Sequence, residues 1–143
     1  MNFQRSILAT IILLIIAGVS YAQAGEPGPI RSSAAYSEVL LRKTQLQADL
    51  EAFLADYTEA NPKIIDLRNE LAAINKSLEK IYAVKPAETA KLTLALGRLI
   101  VQQAALQTDL ARLLRSYSNE HAEVKRARRK VEIFESAINE ILK

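Results

Sequence analysis

At 143 residues and a net charge of +3, the chain has room for one domain and carries no charge excess that by itself names an anionic partner. It holds no Cys, which excludes disulfide staples and thiolate chemistry, and only four Gly and four Pro. With aromatics at 6% and an abundance of Leu, Ala, Glu, Lys, Gln and Arg, the composition describes packed helices rather than strands.

The first segment, 1–24, reads as a secretory signal: Arg5 supplies a positive start, 7–19 is an uncharged apolar run, and Ala22-Gln23-Ala24 offers the small residues a signal peptidase selects. The run is shorter than the roughly 20 residues a spanning helix needs. Cleavage is therefore expected, with a retained N-terminal anchor as the second reading, and the absence of Cys excludes a lipoprotein anchor. A periplasmic or secreted location follows as an expectation, with no transmembrane helix once the signal is removed.

Segment 25–33 gathers two of the Gly and two of the Pro and reads as a flexible leader. A helical domain, 34–143, comes next, with Ser32 or Ser33 as the first N-cap. Apolar spacing places helices over about 34–57, 62–82, 86–117 and 120–142. Asn61 before Pro62 is a cap followed by a residue preorganised for the first helical position, so a break is expected there. Pro86 is expected to open the third helix. Before the fourth only Ser118 and Asn119 suggest caps, which leaves a continuous bent helix as an alternative.

Segment 46–81 recurs in register at 106–141, always sixty residues on: Leu50 and Leu110, Tyr57 and Tyr117, Arg68 and Arg128, Ile81 and Ile141. Two units, 34–82 and 86–143, are expected, each an antiparallel coiled-coil-like hairpin, together forming a four-helix bundle or an elongated pair. Folding each unit back on itself pairs Phe53 with Leu67 and Leu46 with Ile74, and leaves Lys43 and Gln103 as polar residues in equivalent seam layers. The first and third helices carry a second apolar stripe, with Leu40, Leu41 and Leu54 on one and Leu94, Ile100, Val101 and Leu114 on the other. Both should therefore be central to the bundle or to an oligomer.

The turn of the first unit reads Tyr57-Thr58-Glu59-Ala60-Asn61-Pro62-Lys63-Ile64. It resembles a segment of the periplasmic coiled coils of polysaccharide chain-length determinant and exopolysaccharide export proteins. Asn61 stands where that pattern has His; the second unit has His121 there but lacks the Pro. The resemblance implies a structural role, a hairpin turn in an extracytoplasmic coiled coil, with Tyr57, Asn61, Pro62, Tyr117 and His121 as turn residues.

No arrangement of nucleophile and base, no phosphate-binding loop and no metal-ligand cluster is legible in the sequence, so neither enzyme activity nor a cofactor is expected. The concentrated charge feature is Lys125, Arg126, Arg128, Arg129 and Lys130. It offers a landing site for an anionic polysaccharide, a lipid headgroup or an acidic protein. Against that reading, Glu120, Glu123, Glu132 and Glu135 lie at helical spacing from these cations and can neutralise them. Nucleic acid is not expected, since stacking aromatics are missing nearby. The function expected is that of a structural or interaction protein of the cell envelope, engaging a protein partner or itself. The alternative is a periplasmic holdase-type chaperone or a binder of anionic polymer through 125–130.

Overall fold

The computed structural model describes residues 28–143, which are all-α. The expected signal, 1–24, and the first residues of the leader lie outside the described residues. Among the described residues four α-helices form: α1 (Ala34–Asp56), α2 (Pro62–Tyr82), α3 (Leu94–Ser116) and α4 (Ala122–Leu142), with a 3-10 segment, Pro86–Lys91, linking the hairpins. Both boundaries of α3 and of α4 fall sixty residues after those of α1 and α2. The duplication in sequence is thus a duplication of structure down to the residue at which each helix starts and stops.

The capping chemistry explains why. Ser33 Oγ accepts from the Tyr36 N–H at 3.3 Å, and Thr93 Oγ1, sixty residues on, accepts from the Leu96 N–H at 3.3 Å. Each hydroxyl satisfies an amide that the first helical turn leaves without a backbone partner. Asn61 Oδ1 does the same for Lys63 N–H at 2.8 Å, with Pro62 at the first helical position. The end of the leader is drawn into a turn: Arg31 N–H donates to the Gly28 carbonyl at 2.8 Å, and Ile30 packs against the core.

The third helix starts later than Pro86 suggests. Leu92 is buried, and its carbonyl accepts from the Ala35 N–H at 3.2 Å, which turns the chain away from helical geometry before Thr93 opens α3. Pro86 opens only the 3-10 segment. Likewise α4 starts at Ala122, capped by His121 rather than by Ser118 or Asn119, and the chain breaks fully between α3 and α4.

Each unit closes as an antiparallel hairpin. At the open end of the first, Tyr36 and Tyr82 meet with ring centroids 5.8 Å apart, and their hydroxyls are 3.3 Å apart. That hydrogen bond, with burial adding to it, raises the Tyr36 pKa above its ordinary value. At the open end of the second, Lys91 Nζ donates to the Leu142 carbonyl at 3.4 Å.

The hairpins lie side by side with both turns at the same end. Near the start of α1 and α3, Gly97 sits so close to α1 that a Cβ placed on it would stand 3.0 Å from Ala35 Cα and 2.9 Å from Glu38 Cβ. At the other end Asp66 receives Arg112 at 3.1 Å and Arg115 at 2.7 Å. The start of α3 thus lies by the start of α1, and its end by the start of α2, which follows the end of α1, so α1 and α3 run parallel.

The core fills the space between α1, α2 and α3, where Leu46, Ile74, Ile81 and Leu96 are fully buried. Burying each such side chain contributes about 1.5–3 kcal/mol before ordering costs. Of the two polar seam residues, Gln103 is buried and Lys43 half-buried. A polar pair absent from the seam expectation is Arg42 with Glu70: Nη2 stands 2.6 Å from Oε1, and the carboxylate side chain is only 10% exposed.

Only one of the two helices expected at the centre is there. α3 packs against α1, α2 and α4, whereas α4 leans on α3 and the second stripe of α1 faces solvent. Leu40, Leu41 and Leu54 are 40%, 56% and 38% exposed. The reason is geometric: α3 covers the opposite flank of α1, the one carrying Ala35 and Glu38.

Candidate functional site

Chemistry-bearing side chains concentrate at the two turns and along the flank of α4 next to the second. The turns share one backbone design. Tyr57 and Tyr117 end α1 and α3 in extended geometry, each N–H donating 2.9 Å to the carbonyl four residues back, on Phe53 and Leu113. Asn61 N–H then donates to the Thr58 carbonyl at 2.9 Å, and His121 N–H to that of Ser118 at 3.1 Å.

The side chains close the turns in parallel ways with different chemistry. Arg68 grips both carboxylate oxygens of Glu59, at 3.2 and 2.7 Å. The guanidinium holds the Glu59 carboxyl below the usual carboxylate range, first through the hydrogen bonds and then through charge. The same contact raises the Arg68 pKa further. Sixty residues on, Arg128 Nη2 donates to Asn119 Oδ1 at 2.8 Å. In the first turn Tyr57 stacks on Phe53, centroids 5.8 Å apart; in the second Tyr117 stacks on His121 at 4.2 Å. Both tyrosines remain about half exposed. His121 Nδ1 accepts the Glu123 N–H at 3.2 Å, so the imidazole replaces the Asn61 amide as N-cap.

Along α4 the basic run is engaged locally. Lys125 pairs with Glu120 at 2.7 Å, Arg126 with Glu123, and Arg129 with Glu132 at 3.4 Å. Arg128 is committed to the turn. Lys130 has no ion pair among the described residues, and with Arg126 it lines a groove of about 320 Å³ between α3 and α4 that Asp109 and Arg112 also border. Lys125, Arg128 and Arg129 do not line that groove, so two of the five cations face it. A second groove, about 660 Å³, opens toward the other end of the same hairpin and is walled by Leu94, Ala95, Arg98, Leu99, Gln102 and Phe134.

Sequence reasoning placed Asn61, Pro62, Tyr57 and Tyr117 at their turns. It missed Arg128 as a turn staple, although the offset that pairs it with Arg68 was legible. It also missed both grooves, whose residues are individually ordinary. Among the described residues no cluster of three His, Asp or Glu stands close enough to hold a metal, and no helix is long and apolar enough to cross a membrane.

The fold defines an all-α protein of two tandem helical hairpins. No protein-family model, curated protein or solved structure matches the chain.

Proposed function

We propose that the chain is an exported, non-catalytic structural or interaction protein of the cell envelope. The observation that carries this reading is the unpartnered pair Leu40 and Leu41 on α1: they are 40% and 56% exposed, whereas their counterparts on α3, Ile100 and Val101, are buried and half-buried. Apolar surface held on a packed helix is the ordinary mark of an interaction site. The signal-like start of the sequence supports an extracytoplasmic destination. So does the likeness of the Tyr57–Ile64 turn to turns in exopolysaccharide export coiled coils. The basic run supports an anionic-polymer role less well, because Lys125, Arg126 and Arg129 each face a glutamate.

The test is cell fractionation together with photo-crosslinking from a probe at Leu41. Recovery in the envelope fraction with one discrete crosslinked species supports the reading. Recovery in the cytoplasm overturns it, and a broad smear of crosslinked species with suppression of client aggregation favours a holdase chaperone instead.

A further inference from the structure

The junction between the two hairpins uses only half of what the duplication supplies. On α3 the stripe Gly97, Ile100, Ala104, Thr108, Arg112 faces the first hairpin, pinned by Gly97 against Ala35 at one end and by Arg112 on Asp66 at the other. Ile100 and Ala104 are each 2% exposed. The receiving flank presents Ala35, Glu38 and Arg42 on α1 with Asp66 and Glu70 on α2.

Both halves have counterparts sixty residues away, and both counterparts are open. The incoming stripe of α3 corresponds to Leu40, Thr44, Ala48 and Ala52 on α1, all exposed. The receiving flank corresponds to Ala95, Arg98 and Gln102 on α3 with Arg126 and Lys130 on α4. These are residues that wall the two grooves of the second hairpin. One molecule therefore carries an unused incoming face at one side and an unused receiving face at the other.

The charges fit the same scheme. Within the chain the receiving flank is acidic on balance, with Glu38, Asp66 and Glu70 against Arg42, and its Asp66 meets Arg112 and Arg115. On the second hairpin its counterpart carries Arg98 and Lys130, with Arg126 paired to Glu123, and the corresponding face of α1 has Ala52 and Ala55 in place of the arginines, with Glu51 beside them. Like-charge conflict is removed and an opposite charge is supplied.

We propose that a second copy of this chain docks head to tail, laying the Leu40 stripe of its α1 into the α3–α4 grooves of its neighbour and repeating the internal junction between molecules. This rests on the interaction-protein reading above and names its partner. The contact is heterologous, so it propagates into a ring or a filament rather than closing as a two-fold dimer. It is also wider at one end than the internal junction. Ser37 stands where Gly97 stands, and a Cβ there would meet Ala35 Cα at 3.0 Å in the internal version. The association is therefore reversible and concentration-dependent.

The absence of Cys makes the test clean. The full chain, expressed with its own leader, is prepared as two single variants, Ser37→Cys and Arg98→Cys, which are mixed and oxidised. The proposal expects a mixed disulfide in large excess over either homodimer, since these positions correspond to the close Gly97 and Glu38 pair. Sedimentation of the unmodified chain should show mass rising past the dimer with concentration. Leu40→Glu with Leu41→Glu should abolish that rise while leaving helical circular dichroism unchanged. A monomer at every concentration, or homodimers without the mixed species, overturns the proposal. Cytoplasmic recovery would sink the envelope reading and leave these outcomes untouched, so the two failures are distinguishable.

Discussion

Arg128 reaches over the second turn to Asn119 at 2.8 Å, as Arg68 reaches over the first to Glu59. A cation that sequence pattern assigns to a binding patch is thus a turn staple. Replacing Arg128 with Gln should loosen the second turn, read as faster amide exchange at residues 118–121, and leave binding of heparin or other polyanions unchanged. Lost polyanion binding with unaltered exchange would contradict this assignment.

The two turns should respond differently to acid. Glu59 has a folded-state pKa lowered by Arg68, so its stabilising contribution is present above the unfolded carboxylate value and is lost as pH falls through the folded one. In the second turn the same place is taken by the uncharged Asn119 amide, so the Arg128 contact has no carboxylate to lose. Amide shifts at residues 58–61 should move on acidification in a step that Glu59→Gln removes. An unchanged titration in that variant would refute the assignment.

His121 caps α4 through Nδ1, which a protonated imidazole cannot do because both nitrogens then donate. His121→Ala should cost about 1 kcal/mol, and His121→Asn, which restores the cap of the first unit, should cost nothing or stabilise. Ala122→Pro copies Pro62, at a first helical position whose preceding residue is already extended, and should add about 0.4–1 kcal/mol. Chemical denaturation of the three variants checks the ordering.

Gly97 allows the two hairpins to touch. Alanine there would gain about 1 kcal/mol of helix propensity. Its Cβ would press on Ala35 backbone atoms at 3.0 Å, which give way only by moving α1. The overpacking cost of about 1–3 kcal/mol is expected to win, and Gly97→Val should lose more. A stabilised Gly97→Ala variant would show that the hairpins are free to separate.

Arg42 and Glu70 form the one ion pair between α1 and α2 whose carboxylate is nearly buried. Arg42→Ala strands that carboxylate and should cost about 1–3 kcal/mol. The double change Arg42→Met with Glu70→Leu should recover most of the loss, because an apolar pair has no desolvation penalty to offset. A double variant as unstable as the single would contradict this.

Much of the fold was legible because its signals are local. Asn61 before Pro62 marks a boundary by itself; at the second turn, which lacks the proline, Ser118 and Asn119 are the visible caps and only the sixty-residue offset points to His121. Thr93 was overlooked beside the louder signal of Pro86, since what stops a helix there is the burial of Leu92 and its carbonyl bond to Ala35, a tertiary contact. The exposure of Leu40 and Leu41 was illegible for the same kind of reason. Periodicity shows that a face is apolar, but which neighbour covers it depends on how the hairpins dock. The grooves arise from that docking too.

Two copies of one hairpin lie side by side, α1 parallel to α3 and both turns at one end. Nuclear Overhauser contacts of the Gly97 α-protons test it most directly. Strong contacts to Ala35 and Glu38 are expected, since a Cβ on Gly97 would stand 3.0 Å from Ala35 Cα and 2.9 Å from Glu38 Cβ. Contacts from Gly97 to the opposite end of α1, near Phe53 and Tyr57, would mean antiparallel docking and would contradict it.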